Sequence, residues 1–332
     1  MRKYIKSSLI TFLICFSFLN TFSASANDAT RVFEHDNYTE SYYENGRLVC
    51  SGNGKFEEAT WRDTVSEVII EDGITEMGES IFRNAEFLYS VTLPSTLESI
   101  SYCAFFGCNN LKNIELPARL SKIDTGAFTL SGIEEIYIPD NVNEICSGAF
   151  TSCSDLSCIE VSDNNSFYAD IDGVLTDKNQ QKLLCYPNGK SIETYEIPEM
   201  ITEIDAYAFT IFNDFDLKSL VIPESVVKID ENAILTENNY SFADEKSQLI
   251  IYGYVDTTAE TYALENGFTF IALDEEPITT TAITSTSIET TTTITSTETD
   301  VTDTSETTTT STETDVTDTS ETTTTSTETD VT

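Results

Sequence analysis

The sequence predicts a β-rich solenoid, from three observations: a period of 22–23 residues, a proline at one phase of the period, and an Ala-Phe pair closing the unit. From Leu88 the chain reads LYSVTLPSTLESISYCAFFGCNN, from Leu111 LKNIELPARLSKIDTGAFTLSG, and from Ile133 IEEIYIPDNVNEICSGAFTSCSD. Val65 to Phe87 is a looser earlier copy and Leu217 to Ile234 a later one. One such unit has too little apolar area to fold alone, so each must bury its face on its neighbours.

In chain order, Arg2, Lys3 and Lys6 form a basic start, Leu9 to Phe22 an apolar run, and Ala24-Ser25-Ala26 a small-residue cleavage pattern. Residues 1–26 therefore read as a secretory signal peptide, with the mature chain starting at Asn27. Residues 27–64 are an N-terminal segment and cap, and 65–273 the solenoid. In the first half of each unit apolar residues alternate as in a half-buried strand, Ile114 and Leu116 inward, Asn113 and Glu115 outward. Pro94, Pro117, Pro139, Pro198 and Pro223 stop these strands, because proline lacks the N–H that pairing needs. Phe105, Phe128, Phe150 and Phe209 are expected to stack as one internal column. Residues 274–332 read as a disordered, acidic, Thr-rich linker or stalk. Of the 55 residues from Ile278 to Thr332, 29 are Thr and 11 are Asp or Glu, and STETDVTDTSETTTT begins at Ser296 and again at Ser311. Such a segment has nothing with which to build a core.

The pattern L-x-x-I-x-I-P-x-x-V-x-x-I-x-x-x-A-F resembles the BspA-like class of bacterial leucine-rich repeat proteins. Glu44 to Asp63 is similar to that family's N-terminal cap strand. Asn164 to Pro187 resembles its extended repeat, a hairpin inserted between two rungs, here placed at 159–198. Ile250 to Leu273 is similar to its C-terminal closing segment, where Thr257-Thr258-Ala259-Glu260 reads as a capping box and Gly267 as the helix stop. The resemblance implies a secreted or surface-exposed binding or adhesion protein and names no ligand.

Composition removes several classes of chemistry. With 17 Lys+Arg against 57 Asp+Glu the formal charge is -40, which repels phosphate backbones and excludes nucleic acid as an expected partner. The single histidine, His35, cannot supply a site that needs two imidazoles. No metal or other cofactor is expected, nor membrane insertion once the signal is removed. Asp170-Ile171-Asp172-Gly173 resembles the start of a calcium loop, but with Gly173 at position six Tyr168 and Asn179 would occupy positions one and twelve, so it reads instead as the hairpin turn. Seven cysteines follow the signal: Cys50, Cys103, Cys108, Cys146, Cys153, Cys158 and Cys185. Cys108 and Cys153 sit two rungs apart, roughly 10 Å, which exceeds disulfide reach. These cysteines are expected to act as small buried hydrophobes beside the phenylalanines.

The outward strand positions form a ladder that is the candidate ligand-binding face: Tyr89, Asn113, Glu115, Glu135, Tyr137, Glu160 and Glu196. Exposed tyrosine offers large contact area at low entropic cost. The expected function is non-catalytic binding or adhesion to an extracellular protein or glycan, by a protein that is secreted or held at the cell surface. An alternative is an accessory component of an extracellular carbohydrate-degrading complex of the cellulosome type, whose anchoring module lies outside this chain. A glycan-cleaving enzyme would need two carboxylates converging about 5 to 10 Å apart, and none stands out.

Overall fold

The computed structural model describes residues 29–60, 62–211, 216–236 and 249–274. All lie in the first of two compact units of the chain, Met1–Ile278. The signal peptide expected at 1–26 falls outside the described residues, as does the expected tail apart from Asp274.

Most rungs contribute two short strands, which pair in parallel with those of the next rung, so two rows of strands run along the solenoid. The first row comprises Arg47–Gly52, Glu67–Ile70 and Ser90–Thr92, then Glu135–Ile138 with Cys158–Val161, then Thr194–Glu196, Ser219–Val221, Ile250–Gly253 and Thr269–Ala272. The second row runs from Gly54–Phe56 through Ile74–Met77, Ser99–Ile100 and Lys122–Ile123 to Glu144–Ile145. It resumes with Lys182–Cys185, Glu203–Ile204 and Lys228–Ile229. Period-two alternation places Ile136 and Ile138 in the core and leaves Glu135 and Tyr137 outside. At 111–117 no ladder is formed, yet Ile114 is buried and Asn113 and Glu115 are exposed. Side-chain burial, more than ladder hydrogen bonding, sets the alternation there.

Inside, Phe56, Phe82, Phe105, Phe128 and Phe150 form a column with centroid spacings of 6.0, 5.7, 5.5 and 5.6 Å. The expectation that Phe209 continues this column is corrected. Phe209 stacks on Tyr186 at 5.3 Å in a second core cluster. Tyr186 takes the phenylalanine position of its own rung, its amide donating to the Ala208 carbonyl as that of Phe128 does to Ala149. Between Phe150 and Tyr186 the inserted hairpin brings in Leu175, and a cavity of about 20 Å³ remains against Phe150, Leu175, Leu184 and Cys185. The insertion thus divides the core into two stacks.

The turn before each Ala-Phe pair, and before Ile81-Phe82, repeats a left-handed residue: Ser80, Cys103, Gly126, Gly148 and Tyr207, with φ from 52° to 80°. A second left-handed position follows, occupied by Asn84, Gly107, Leu130 and Ser152. A non-glycine residue there costs about 1 to 2 kcal/mol. Leu130 has φ 58° and an exposed side chain, so it loses little burial when removed. Leu130→Gly, which copies the neighbouring rung, is expected to raise stability by about 0.5 to 1 kcal/mol after the greater unfolded-state entropy of glycine is subtracted. A thermal midpoint that stays level or falls would contradict this.

The seven cysteines are free; Cys50, Cys103, Cys108 and Cys153 are buried as expected, whereas Cys146, Cys158 and Cys185 are only partly buried. Three residues after the column phenylalanine come Ala85, Cys108, Ser131 and Cys153, all buried. The Cys108 thiol donates to the Phe82 carbonyl at 3.1 Å and the Cys153 thiol to that of Phe128 at 2.9 Å. Each thiol thus satisfies a carbonyl of the preceding rung. Desolvation pushes Cys108 up to about 12 and Cys153 up to about 11. It also raises Cys50 and Cys185.

At the N-terminal end, Arg31–Glu34, Tyr38–Tyr42 and Arg47–Gly52 form an antiparallel meander, and its last strand pairs in parallel with Glu67–Ile70. Glu40 within it is fully buried, and accepts from the Thr60 amide at 3.0 Å and the Thr60 hydroxyl at 3.2 Å. The His35 Nε2 lies 3.0 Å from the same carboxylate, with its ring stacked on Tyr38 at 4.2 Å. In the inserted segment, Tyr168–Ile171 and Val174–Asp177 form a hairpin. Asp172 and Gly173 at its turn both have positive φ, 51° and 78°, as the sequence reading requires. At the C-terminal end Thr258–Glu265 is helical, and Gly267 follows with φ 74°. The expected capping box is altered. Thr257 makes no side-chain cap, its hydroxyl donating instead to the Tyr254 carbonyl at 2.6 Å, and Glu260 accepts from the amide of Asp256 at 2.7 Å.

Candidate functional site

The outward side chains of the first row fall into two columns, because parallel pairing without slip places equivalent residues side by side. Glu135 stands beside Cys158 and Tyr137 beside Glu160. Thr194 stands beside Ser219, and Glu196 beside Val221 and then Tyr252. Asn113 and Glu115 occupy the equivalent positions one rung before Glu135 and Tyr137, exposed though outside any ladder. Tyr137, 49% exposed, therefore stands beside Glu160 on the paired strand, about 4.8 Å away along the stack, with Glu135 two residues earlier on its own strand and Glu115 at the equivalent position of the unpaired rung before it. Tyr89 is exposed but enters at a different phase, directly before the outward pair Ser90 and Thr92, and stands at the edge of the face beside exposed Phe87. Glu196 belongs to the sheet beyond the inserted hairpin. The candidate residues therefore resolve into a central group, Asn113, Glu115, Glu135, Tyr137 and Glu160, with Tyr89 and Glu196 outside it.

The two rows differ in how their acids are balanced. On the second row Lys55 pairs with Glu76 at 3.0 Å, Lys122 with Glu144 at 2.9 Å, Lys182 with Asp205 at 2.7 Å and Lys228 with Glu203 at 3.0 Å. On the first row Arg47 pairs with Glu67 at 2.6 Å near the N-terminal end. Among the described residues no basic side chain stands within 4.0 Å of Glu115, Glu135, Glu160 or Glu196. The sequence reading missed this division. Its signal is a lysine and an acid one rung apart in the second half of the unit, as in Lys122 and Glu144, with no lysine at the outward positions of the first half from Asn113 to Glu196.

A polar cleft of about 650 Å³ opens where the inserted hairpin meets the turn after Cys158–Val161, lined by Ser162, Asp163, Asp170, Asp172, Lys178 and Met200 among others. Asp170 is committed to the fold, accepting from the amides of Val161 at 3.1 Å and Gly173 at 3.2 Å. Lys178 donates to the Asp163 carbonyl at 3.3 Å. Among the described residues no group of three or more His, Cys, Asp or Glu side chains is placed to hold a metal ion, and no helix is long and apolar enough to cross a membrane.

A family model described as a BspA type leucine rich repeat region matches the chain in 6 copies, over residues 57–170 and 182–253. Comparison with curated proteins gives no match. Among solved structures, a leucine-rich repeat protein from Eubacterium ventriosum is 25% identical, with a TM-score of 0.51, over 72% of this chain and 66% of that one. The chain thus spans just under two thirds of that protein's length. A leucine rich cell surface protein from Faecalibacterium prausnitzii is 21% identical, with a TM-score of 0.37, over 61% of this chain and 73% of that one. The pneumococcal vaccine antigen PcpA is 16% identical, with a TM-score of 0.38, over 75% of this chain and all of that one.

Proposed function

Because the chain belongs to the BspA-type leucine-rich repeat family, whose solenoids generally serve as binding scaffolds, we propose that it is a non-catalytic binding or adhesion module acting outside the cell. Its ligand, an extracellular protein or a glycan, meets the central first-row face. The observation that carries this reading is the half-exposed Tyr137, fixed on a paired strand with carboxylates on three sides. A large aromatic held on a paired strand gives contact area at low ordering cost. The signal-like residues 1–26 support export, and the Thr-rich 274–332 supports a spacer that sets the solenoid apart from whatever holds it.

The test is a paired comparison of adherence to extracellular-matrix proteins and a glycan array. Tyr137→Ala combined with Glu135→Lys is expected to abolish binding while the circular dichroism spectrum stays unchanged. Charge reversal on the second row, Glu144→Lys, is the control and is expected to bind as the wild type does. Loss in the control with retention in the Tyr137 double variant would place binding on the other face and sink the proposal.

A further inference from the structure

We infer that the partner presents a cation to this face, a lysine or arginine side chain of a protein segment laid across the rungs, with its charge over the Tyr137 ring. The inference rests on the reading of the first-row face just proposed and names the chemistry of its partner.

The argument starts from the unequal balance of charge between the rows. On the second row each of Glu76, Glu144, Glu203 and Asp205 has a lysine within 2.7 to 3.0 Å, in every case reaching across from the neighbouring rung. The same stacking brings Glu115, Glu135 and Glu160 around Tyr137 with no lysine or arginine within 4.0 Å among the described residues. Carboxylates one and two rungs apart, roughly 5 to 10 Å, repel one another, and the fold holds them there because their backbone is fixed by the core beneath. Anything that neutralises them is favoured, and anything anionic is turned away.

Tyr137 adds direction to this charge. A cation over an aromatic face is attracted by the ring quadrupole, and here the same cation lies within reach of carboxylates on both neighbouring rungs and on its own strand. A guanidinium suits the arrangement best, since its plane stacks on the ring while its N–H groups fork to carboxylates. A neutral sugar would gain the ring contact but leave the carboxylates unbalanced. That difference selects a basic protein segment over a glycan.

The experiment uses the full chain and named probes: an arginine-rich peptide, its glutamate counterpart of equal length, and a neutral oligosaccharide, measured by isothermal titration calorimetry at two salt concentrations. The arginine peptide is expected to bind, more weakly at high salt, and the glutamate peptide not at all. Tyr137→Ala is expected to weaken binding about 3- to 30-fold and Tyr137→Phe to keep most of it, because the ring supplies the attraction. Glu160→Gln and Glu135→Gln are each expected to weaken binding and to flatten the salt dependence, whereas Glu203→Gln on the second row leaves both unchanged. Equal loss from Glu203→Gln, or none from Tyr137→Ala, would show binding by overall acidity and overturn the inference. If the wild type ignores the arginine peptide but binds the neutral oligosaccharide through Tyr137, the cation is wrong and the binding face stands. If matrix proteins and glycans are bound undiminished by the Tyr137→Ala, Glu135→Lys variant, the face itself is wrong.

Discussion

Replacing Phe128 with alanine is expected to lower the free energy of unfolding by about 3 to 5 kcal/mol, the range for a large side chain removed from a packed core. Phe128 is fully buried and lies between Phe105 at 5.5 Å and Phe150 at 5.6 Å, with ring planes within 10° of parallel. Truncation removes both ring contacts, each worth about 0.5 to 1.5 kcal/mol beyond area burial. The gap cannot close, because the rungs above and below are held apart by their own backbone hydrogen bonds: the Phe128 amide donates to Ala149 at 2.9 Å and that of Phe105 to Ala127 at 2.8 Å. Stability in a stacked array is a sum of units and their interfaces, and one substitution here weakens two interfaces at once. Phe128→Leu, which keeps most of the volume, is expected to cost far less. A urea titration of Phe128→Ala with a loss below about 1 kcal/mol would count against the stacked register.

A comparable loss, about 3 to 5 kcal/mol, is expected for Glu40→Ala, for a different reason. The side chain is not large, but it is fully buried, accepts from the Thr60 amide and hydroxyl, and lies 3.0 Å from the His35 Nε2. Removing the carboxylate takes the acceptor from both the Thr60 amide and the Thr60 hydroxyl, and hydrogen bonds to a carboxylate are worth about 1.5 to 3 kcal/mol each. The bonds join the terminal meander to the loop after Gly54–Phe56, so the damage is expected at that end. Hydrogen exchange should show residues 31–60 losing protection while 120–160 keep theirs. Uniform loss along the chain, or none, would contradict the role given to Glu40. Glu40→Gln, which still offers an acceptor to Thr60, is expected to fall between wild type and Glu40→Ala.

The solenoid was legible because its determinants recur. Ile114, Ile136 and Ile159 fill one inward position on three successive rungs, and Pro117 and Pro139 mark one strand end, so each copy tests the others. What occurs once was not legible. The strands Arg31–Glu34 and Tyr38–Tyr42 have no counterpart elsewhere, and a buried Glu40 contradicts the ordinary preference of its residue type. The break between Phe150 and Phe209 was missed because the Ala-Phe pairs suggest one continuous phase, whereas Tyr186 fills the intervening place without the alanine before it. At the candidate face, outward positions could be read from alternation alone. Their electrostatic contrast with the second row could not, since it depends on which lysine meets which acid across rungs.

The thiols bonded to the phenylalanine carbonyls carry a consequence for how such a chain can be made and kept. Nothing in the described fold waits on an oxidant: Cys50, Cys103, Cys108, Cys146, Cys153, Cys158 and Cys185 are all unpaired. Its cohesion comes from shape repeated rung upon rung. Burial keeps Cys108 and Cys153 protonated, and a protonated thiol is a poor nucleophile towards peroxide or another disulfide. These two sulfur atoms can thus pass between reducing and oxidising surroundings without an isomerase to sort them.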